Sequence, residues 1–311
     1  MPQRPPTWKT LAAFATVYLV WGSTFLAIRI GVSEVPPFLL AAMRFLVAGT
    51  ALSAWMLLRG ERSPTAREWG SATLLAVLIF VLNYGLVFWA ERRVPSGLTA
   101  VMMATIPAFM ALSEIVILGT QRLTIRLAAG LAVGLAGVAV LTTRSGSLGG
   151  APVDGAGALA LIIGAVAWSV ASALARKLPL PSSRMMSSGA QMLVGGALLA
   201  VTSAALGEPR GFRPSTVTAE AWLALLYQIV AGSLLAFTAY VWLIHHESPT
   251  KVGTYAYVNP VVAVLLGYFV GGETLGGRTI FATVLILTSV LAITTMRKAP
   301  AAAAASVKEG E

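Results

Sequence analysis

The sequence predicts an all-α integral membrane fold of ten transmembrane helices, arranged as two five-helix repeats of inverted topology. Three observations carry this reading. The 311 residues are 57% hydrophobic and only 11% charged, with a mean hydropathy of +0.80, whereas soluble domains carry about 25% charged residues. Ten apolar stretches approach the roughly 20 residues that a bilayer-crossing helix needs. The second half of the chain repeats the first at a nearly constant offset. Thirty glycines and sixteen prolines suit the same class, because neighbours in a helix bundle re-satisfy the backbone groups that such residues free.

Span one covers about 10–30 after a short basic lead, Arg4 and Lys9. No small-residue cleavage pattern follows a short apolar core, so it reads as a retained helix and not a signal peptide. Span two (37–58) opens on Pro36-Pro37 and stops at the Gly60 to Pro64 turn. Span three (69–90) is divided from span four (97–118) by Val94-Pro95-Ser96-Gly97. Span five (123–143) ends in the turn-rich segment from Ser145 to Pro152, and span six (155–175) ends before Pro179 to Ser183. Spans seven to ten follow at about 185–206, 221–244, 252–271 and 279–296. The repeats therefore occupy 10–144 and 154–297, and 298–311 is an alanine-rich, then charged, flexible tail.

Alternate connections differ in charge. Counting Lys and Arg, 14 fall on the side that holds both termini and 7 on the other, with Arg44 inside a span completing the 22. The excess places both termini in the cytoplasm of a bacterial-type inner membrane.

A shift of 147 lays Trp21 on Trp168, Arg29 on Arg176 and Val47-Ala48-Gly49 on Val194-Gly195-Gly196. A shift of 153 lays Trp69 on Trp222, Trp89 on Trp242 and Pro107 on Pro260; a shift of 152 matches Leu118 to Gln121 with Val270 to Glu273. With eight tryptophans in the chain, three aligned pairs mark a duplication. Each copy holds five spans, an odd number, so the second enters the membrane with opposite polarity, as in secondary transporters whose sites lie near the midplane between repeats.

Trp21-Gly22-Ser23-Thr24-Phe25, Arg44 in span two, and Pro260 to Glu273 ahead of a tenth span resemble the drug/metabolite transporter superfamily. More narrowly, the chain is similar to tandem EamA-domain exporters, among them bacterial exporters of aromatic and other amino acids. The resemblance covers about residues 10 to 297. It departs at Gln121, where such repeats often carry the glutamate that Glu273 supplies in the second copy.

A midplane cavity for amino acids needs few charges, some hydrogen-bonding groups and aromatic surface. Asn83, Tyr84, Met102, Trp168, Ser172, Tyr240, Tyr255 and Asn259 are the candidate substrate-binding residues. Tyr255 and Asn259 share a helical face at i, i+4, and Met102 offers an adaptable apolar surface. Each of these would equally serve as a bond between helices. Pro107 and Pro260 are equivalent, mid-span and candidate hinges, since proline removes a helical hydrogen bond. Arg44 either meets a substrate carboxylate or braces carbonyls at a packed interface; its repeat-related position, Gln191, favours bracing. Glu114 is placed either to exchange protons or to pair with a loop arginine such as Arg122. Arg29 and Arg176 sit at equivalent span ends, suited to snorkelling. Gly130-x-x-x-Gly134 is a close-packing face for a helix of this chain or of a second protomer, leaving monomer and homodimer open.

Other classes lack their residues. Basic residues are scattered, with no phosphate-gripping patch for nucleic acid. There is no cysteine, no His-Glu-x-x-His pair, no Gly-x-Ser-x-Gly elbow and no Walker loop, so neither an enzyme, a primary pump, a metal nor another cofactor is expected. The expected function is export of amino acids, neutral and aromatic included, by alternating access. The alternative is export of drugs, cationic toxins or nucleobase-type metabolites in the same fold. Transport is either proton-coupled or downhill.

Overall fold

A computed structural model describes residues 6–119, 123–142, 153–247 and 249–294. Gln121, Arg122 and the tail from residue 298 lie outside them. Ten long helices follow in order: α1 Thr7–Glu34, α2 Pro37–Leu58, α3 Ala66–Glu91, α4 Ser96–Leu118, α5 Ile125–Thr142, α6 Gly155–Leu174, α7 Arg184–Ala205, α8 Ala219–Leu243, α9 Tyr255–Phe269 and α10 Gly277–Thr294. Seven of these are long and apolar enough to cross a membrane; α5, α9 and α10 are apolar and shorter. No strand occurs among the described residues.

Local chemistry sets the ends. Pro37 opens α2 at its first position, where the missing N–H costs nothing. Thr65 and Glu68 form a reciprocal capping box on α3. Asp154, Ser183 and Thr218 cap α6, α7 and α8 through their side chains. Gly119, with φ +64, ends α4 in the left-handed conformation that glycine adopts without strain.

Two small-residue interfaces tie the halves together. At the α2–α7 crossing, a Cβ built on Gly49 would lie 2.4 Å from the Leu193 amide nitrogen, and one on Gly196 would lie 2.5 Å from that of Leu46. The two contacts exchange under the 147-residue shift. At α5–α10, Gly134 meets the Ser289 side chain and Gly137 meets Ile286, a pair that exchanges under a shift of 152. Ser289 Oγ donates to the Gly130 carbonyl at 2.6 Å. The Gly130-x-x-x-Gly134 face thus docks α10 of the same chain. The first helix of each repeat packs on the third and fourth helices of the other: α1 on α8 and α9, α6 on α3 and α4.

Connections sort into two sets. At one end Glu208 accepts from the Leu39 amide at 2.9 Å, and Glu34 accepts from the Thr218 amide and hydroxyl at 2.6 Å each. There too Arg93 reaches Asp154 at 3.9 Å. Glu273 accepts from the Ser96 amide (2.6 Å) and hydroxyl (2.7 Å) and the Gly97 amide (3.0 Å). At the opposite end Arg176 pairs with Glu114 at 3.0 Å, Ser183 meets Met56, and Tyr18 bonds Thr254. Large apolar side chains such as Leu19, Val47, Val116, Val201 and Phe269 are exposed on the outer surface, as a lipid-facing belt requires.

Glu273 is therefore a cap on the N-terminus of α4, satisfying orphan donors there. Glu273→Ala is expected to lower stability by about 1–3 kcal/mol, the cost of stranding buried donors, seen as a lower melting temperature of the purified protein in detergent. An unchanged melting temperature would remove the capping role.

Candidate substrate cavity

Two helices carry a π-helical segment in the middle of the bundle. Val77–Gly85 within α3 and Gln228–Leu235 within α8 are π-helical, and they occupy corresponding stretches of the two repeats. Such segments re-aim side chains and cluster at functional sites. Ile79, Phe80, Asn83 and Tyr84 from the first, with Gly232 and Ser233 from the second, line a cavity of about 310 Å³, within the size range of small-molecule sites. Its remaining walls come from α1, α2, α4, α6, α7 and α9, with Val87 of α3 and Phe237 and Tyr240 of α8.

Aromatic rings form two groups. Tyr84 stands 4.7 Å from Phe45 and 6.0 Å from Trp168 between ring centroids. Trp21 stands 5.2 Å from Tyr240 and 5.3 Å from Tyr255, and those two tyrosines are 5.9 Å apart. The tilted and edge-on arrangements are those that ring quadrupoles favour. Trp21 and Trp168, the repeat-related pair, thus head one group each, and the Trp21 indole donates to the Gly232 carbonyl at 3.2 Å.

Arg44 lies between the π segments. It is 2% exposed; Nε donates to Ser233 Oγ at 3.0 Å and Nη1 to Gln228 Oε1 at 3.5 Å. Its guanidinium also sits over Phe45 at 4.8 Å and Tyr84 at 5.5 Å. Among the residues lining the cavity Arg44 carries the single formal charge, and none of the described carboxylates forms an ion pair with it. Gln228, fully buried, is itself fixed by donating to the Ala27 carbonyl at 3.1 Å.

Asn83, Tyr84, Trp168, Tyr240, Tyr255, Asn259, Pro107, Pro260 and Arg44 all line the cavity. Asn83 also bonds backbone, donating to the Gly164 carbonyl at 2.9 Å, and the Asn259 amide, with its nitrogen assigned toward the carbonyls it faces, donates to Tyr18 at 3.3 Å and Tyr255 at 3.2 Å. Met102 is wholly buried in the packed core, and its neighbour Met103 lines the cavity. Consecutive helix residues point about 100° apart, so the facing one depends on the rotation of α4. The Ser172 hydroxyl donates back to the Trp168 carbonyl at 2.8 Å and lies off the lining. Glu114 pairs with Arg176, outside the cavity. Arg29 does not snorkel; it turns inward to donate to the Glu91 carbonyl. Thr24, Ser188, Gln191 and Ser233 are further polar lining residues, each marked in the sequence only by a polar atom inside an apolar span. No cluster of three metal-ligating side chains occurs among the described residues.

The prolines differ in setting. The helix of α4 breaks at Ala104-Thr105, immediately before Pro107, whereas Pro260 lies inside the continuous helix α9. Before the break α4 packs chiefly on α9 and also on α1, α6 and α10; after it, chiefly on α6 and also on α10. The segment from Ser96 to Met103 is buried along its whole length.

Comparison with known proteins bears on this arrangement directly. The description of the EamA-like transporter family matches the chain twice, over residues 8–143 and 155–295. The chain belongs to the EamA-like transporter family. An uncharacterized inner membrane transporter, YedA of Escherichia coli K12, is 40% identical over 283 residues, covering 88% of this chain and 89% of the relative. Protein PecM of Dickeya dadantii is 27% identical over 276 residues, with 88% of each covered. A solved crystal structure with 27% identity superposes with a TM-score of 0.60 over 94% of this chain and 97% of that one. This EamA-like protein is accordingly a multi-pass membrane transporter, and its paired π segments and aromatic groups surround the cavity at the junction of its two repeats.

Proposed function

We propose that this EamA-like protein exports amino acids, neutral and aromatic ones included, from the cytoplasm across the inner membrane, with Arg44 receiving the substrate carboxylate. The observation that carries this is the lone guanidinium in an otherwise uncharged, aromatic cavity. A buried cation without a counter-ion attracts an anionic group and repels a cationic one. The aromatic groups around Trp21 and Trp168 accept the side chain, and the hydroxyls of Thr24, Tyr240 and Tyr255 offer acceptors to the ammonium group. Cationic drugs, the runner-up class, would meet no carboxylate.

We read the topology as ten crossings in two inverted repeats, both termini cytoplasmic. Sorting of alternate connections to opposite ends supports this, because each helix must then run the length of the bundle. The contacts that exchange under the repeat shift support a two-fold relation between halves. Asymmetry at Pro107 and Pro260 supports alternating access, with one half bent and the other straight. The protein acts as a monomer in this reading, the α5–α10 face being used internally.

Intrinsic tryptophan fluorescence tests the substrate class, since Trp21 and Trp168 line the cavity. Phenylalanine and phenylpropionate are expected to change the emission saturably, and phenethylamine is not. Binding of the amine alone would overturn the proposal. For the hinge, Pro107→Ala should restore a helical hydrogen bond and slow turnover several-fold with substrate affinity nearly unchanged; unchanged turnover in exchange assays would dismiss it.

A further inference from the structure

The Ser96 end of the bundle holds a carboxyl group that the substrate reading does not use. Glu91 is the last residue of α3, is 0% exposed, and neither of its side-chain oxygens has a hydrogen-bond partner. Its backbone carbonyl, not its carboxyl group, accepts from Arg29. The charged groups that face it are Arg29 from α1, Arg44 from α2 and Glu273 from the α9–α10 connection. Glu273 is held by three donors at the start of α4. Arg93 and Asp154 at the rim are paired with each other. Val94, Ser96 and Thr99 around the same junction are each 0% exposed, so the site is closed to water.

An ionised carboxylate with no donor is among the most expensive groups to bury, and a neutral carboxyl is far cheaper. If this end parts, water reaches Glu91, the charged form becomes affordable, and Arg29 and Arg44 are the cations that then attract it. We propose that Glu91 is a proton-binding site that latches this end of the transporter. It carries a proton while the end is sealed, and on opening its O–H bond breaks, the proton passing to water at that end and the electron pair staying on the carboxylate. Closing takes one proton back from the same side. Acid on that side therefore favours the sealed form, and rising pH weakens the seal by up to tenfold per unit, the limit for one proton.

The chain has no cysteine, so a single introduced thiol reports opening. Thr99→Cys places one in the seal. The rate at which a maleimide labels it is measured in detergent across a series of buffers from acid to mildly alkaline. It is divided by the rate at Gly211→Cys, an exposed site in the α7–α8 connection, to remove the thiol's own ionisation. The expected result is a normalised rate that climbs with pH and becomes slow and flat in Glu91→Gln. Glu91→Met is a second neutral variant, with the same expectation. A flat rate in the otherwise native protein, or a slope that survives in either neutral variant, would overturn the proposal. The assay needs no substrate, so it fails independently of the amino-acid reading.

Discussion

Arg44→Met is expected to weaken phenylalanine binding by about 10- to 150-fold, the range for losing a charge-assisted hydrogen bond of 1.5–3 kcal/mol. The side chain is 2% exposed and two of its nitrogens are committed to Ser233 and Gln228. That bracing aims the guanidinium at the cavity instead of leaving it to wander. Methionine keeps the unbranched bulk and removes the charge. Ser233 and Gln228 lose a partner, although Gln228 keeps the Ala27 carbonyl, so a moderate loss of stability accompanies the loss of binding. Arg44→Lys retains the charge without the planar fork and should fall between. Fluorescence titration with phenylalanine and phenethylamine separates the roles. If Arg44 only braces helices, both ligands respond alike to the substitution; if it receives a carboxylate, phenylalanine alone weakens.

The second large effect belongs to the α2–α7 crossing. Gly49 approaches the backbone of Leu193, and Gly196 that of Leu46. Backbone atoms cannot turn aside as a flexible side chain would, so any side chain here must push the two helices apart. Overpacking a core costs about 1–3 kcal/mol where neighbours can shift, and this contact leaves them less room. Gly49→Ala is expected to lower the melting temperature, and Gly49→Val to abolish the monodisperse peak in size-exclusion chromatography. Gly70→Ala, with open space around it, is the control and should behave as the parent does. A monodisperse Gly49→Val protein would show that the interface tolerates separation.

Helix positions were legible because hydropathy and turn residues act locally. Span two was expected at 37–58 and α2 occupies Pro37–Leu58, bounded by a proline at one end and Gly60 at the other. Span one extends further than its expected end: α1 runs through Ser33 and Glu34, exposed polar residues held by local bonds, the Ser33 hydroxyl donating to the Ile30 carbonyl and Glu34 accepting from Thr218. Span nine was expected from residue 252, but regular helix begins at Tyr255 after a turn at Gly253-Thr254.

In the cavity, the aromatic and amide residues were visible as interruptions of apolar spans. Met102 against Met103 was not decidable, since that choice rests on how α4 is rotated by its neighbours. The π-helical segments had no signature in the residues, because an i→i+5 ladder answers to packing across helices. Glu91 falls one residue past the span expected at 69–90. Its burial arises only when the α3–α4 connection is folded under Arg29 and against the Glu273 cap, a contact between residues nearly two hundred positions apart.

The most direct test of substrate and mechanism together is counterflow in liposomes loaded with one amino acid and challenged with others carrying a radiolabel. The panel runs from threonine and methionine to phenylalanine, with phenethylamine as the cation and adenine as a nucleobase. Each is measured with and without a pH gradient. The account predicts accumulation of several amino acids, with little of the amine or the nucleobase, and loss of that accumulation in Arg44→Met. Accumulation of the amine or the nucleobase with none of any amino acid would contradict it.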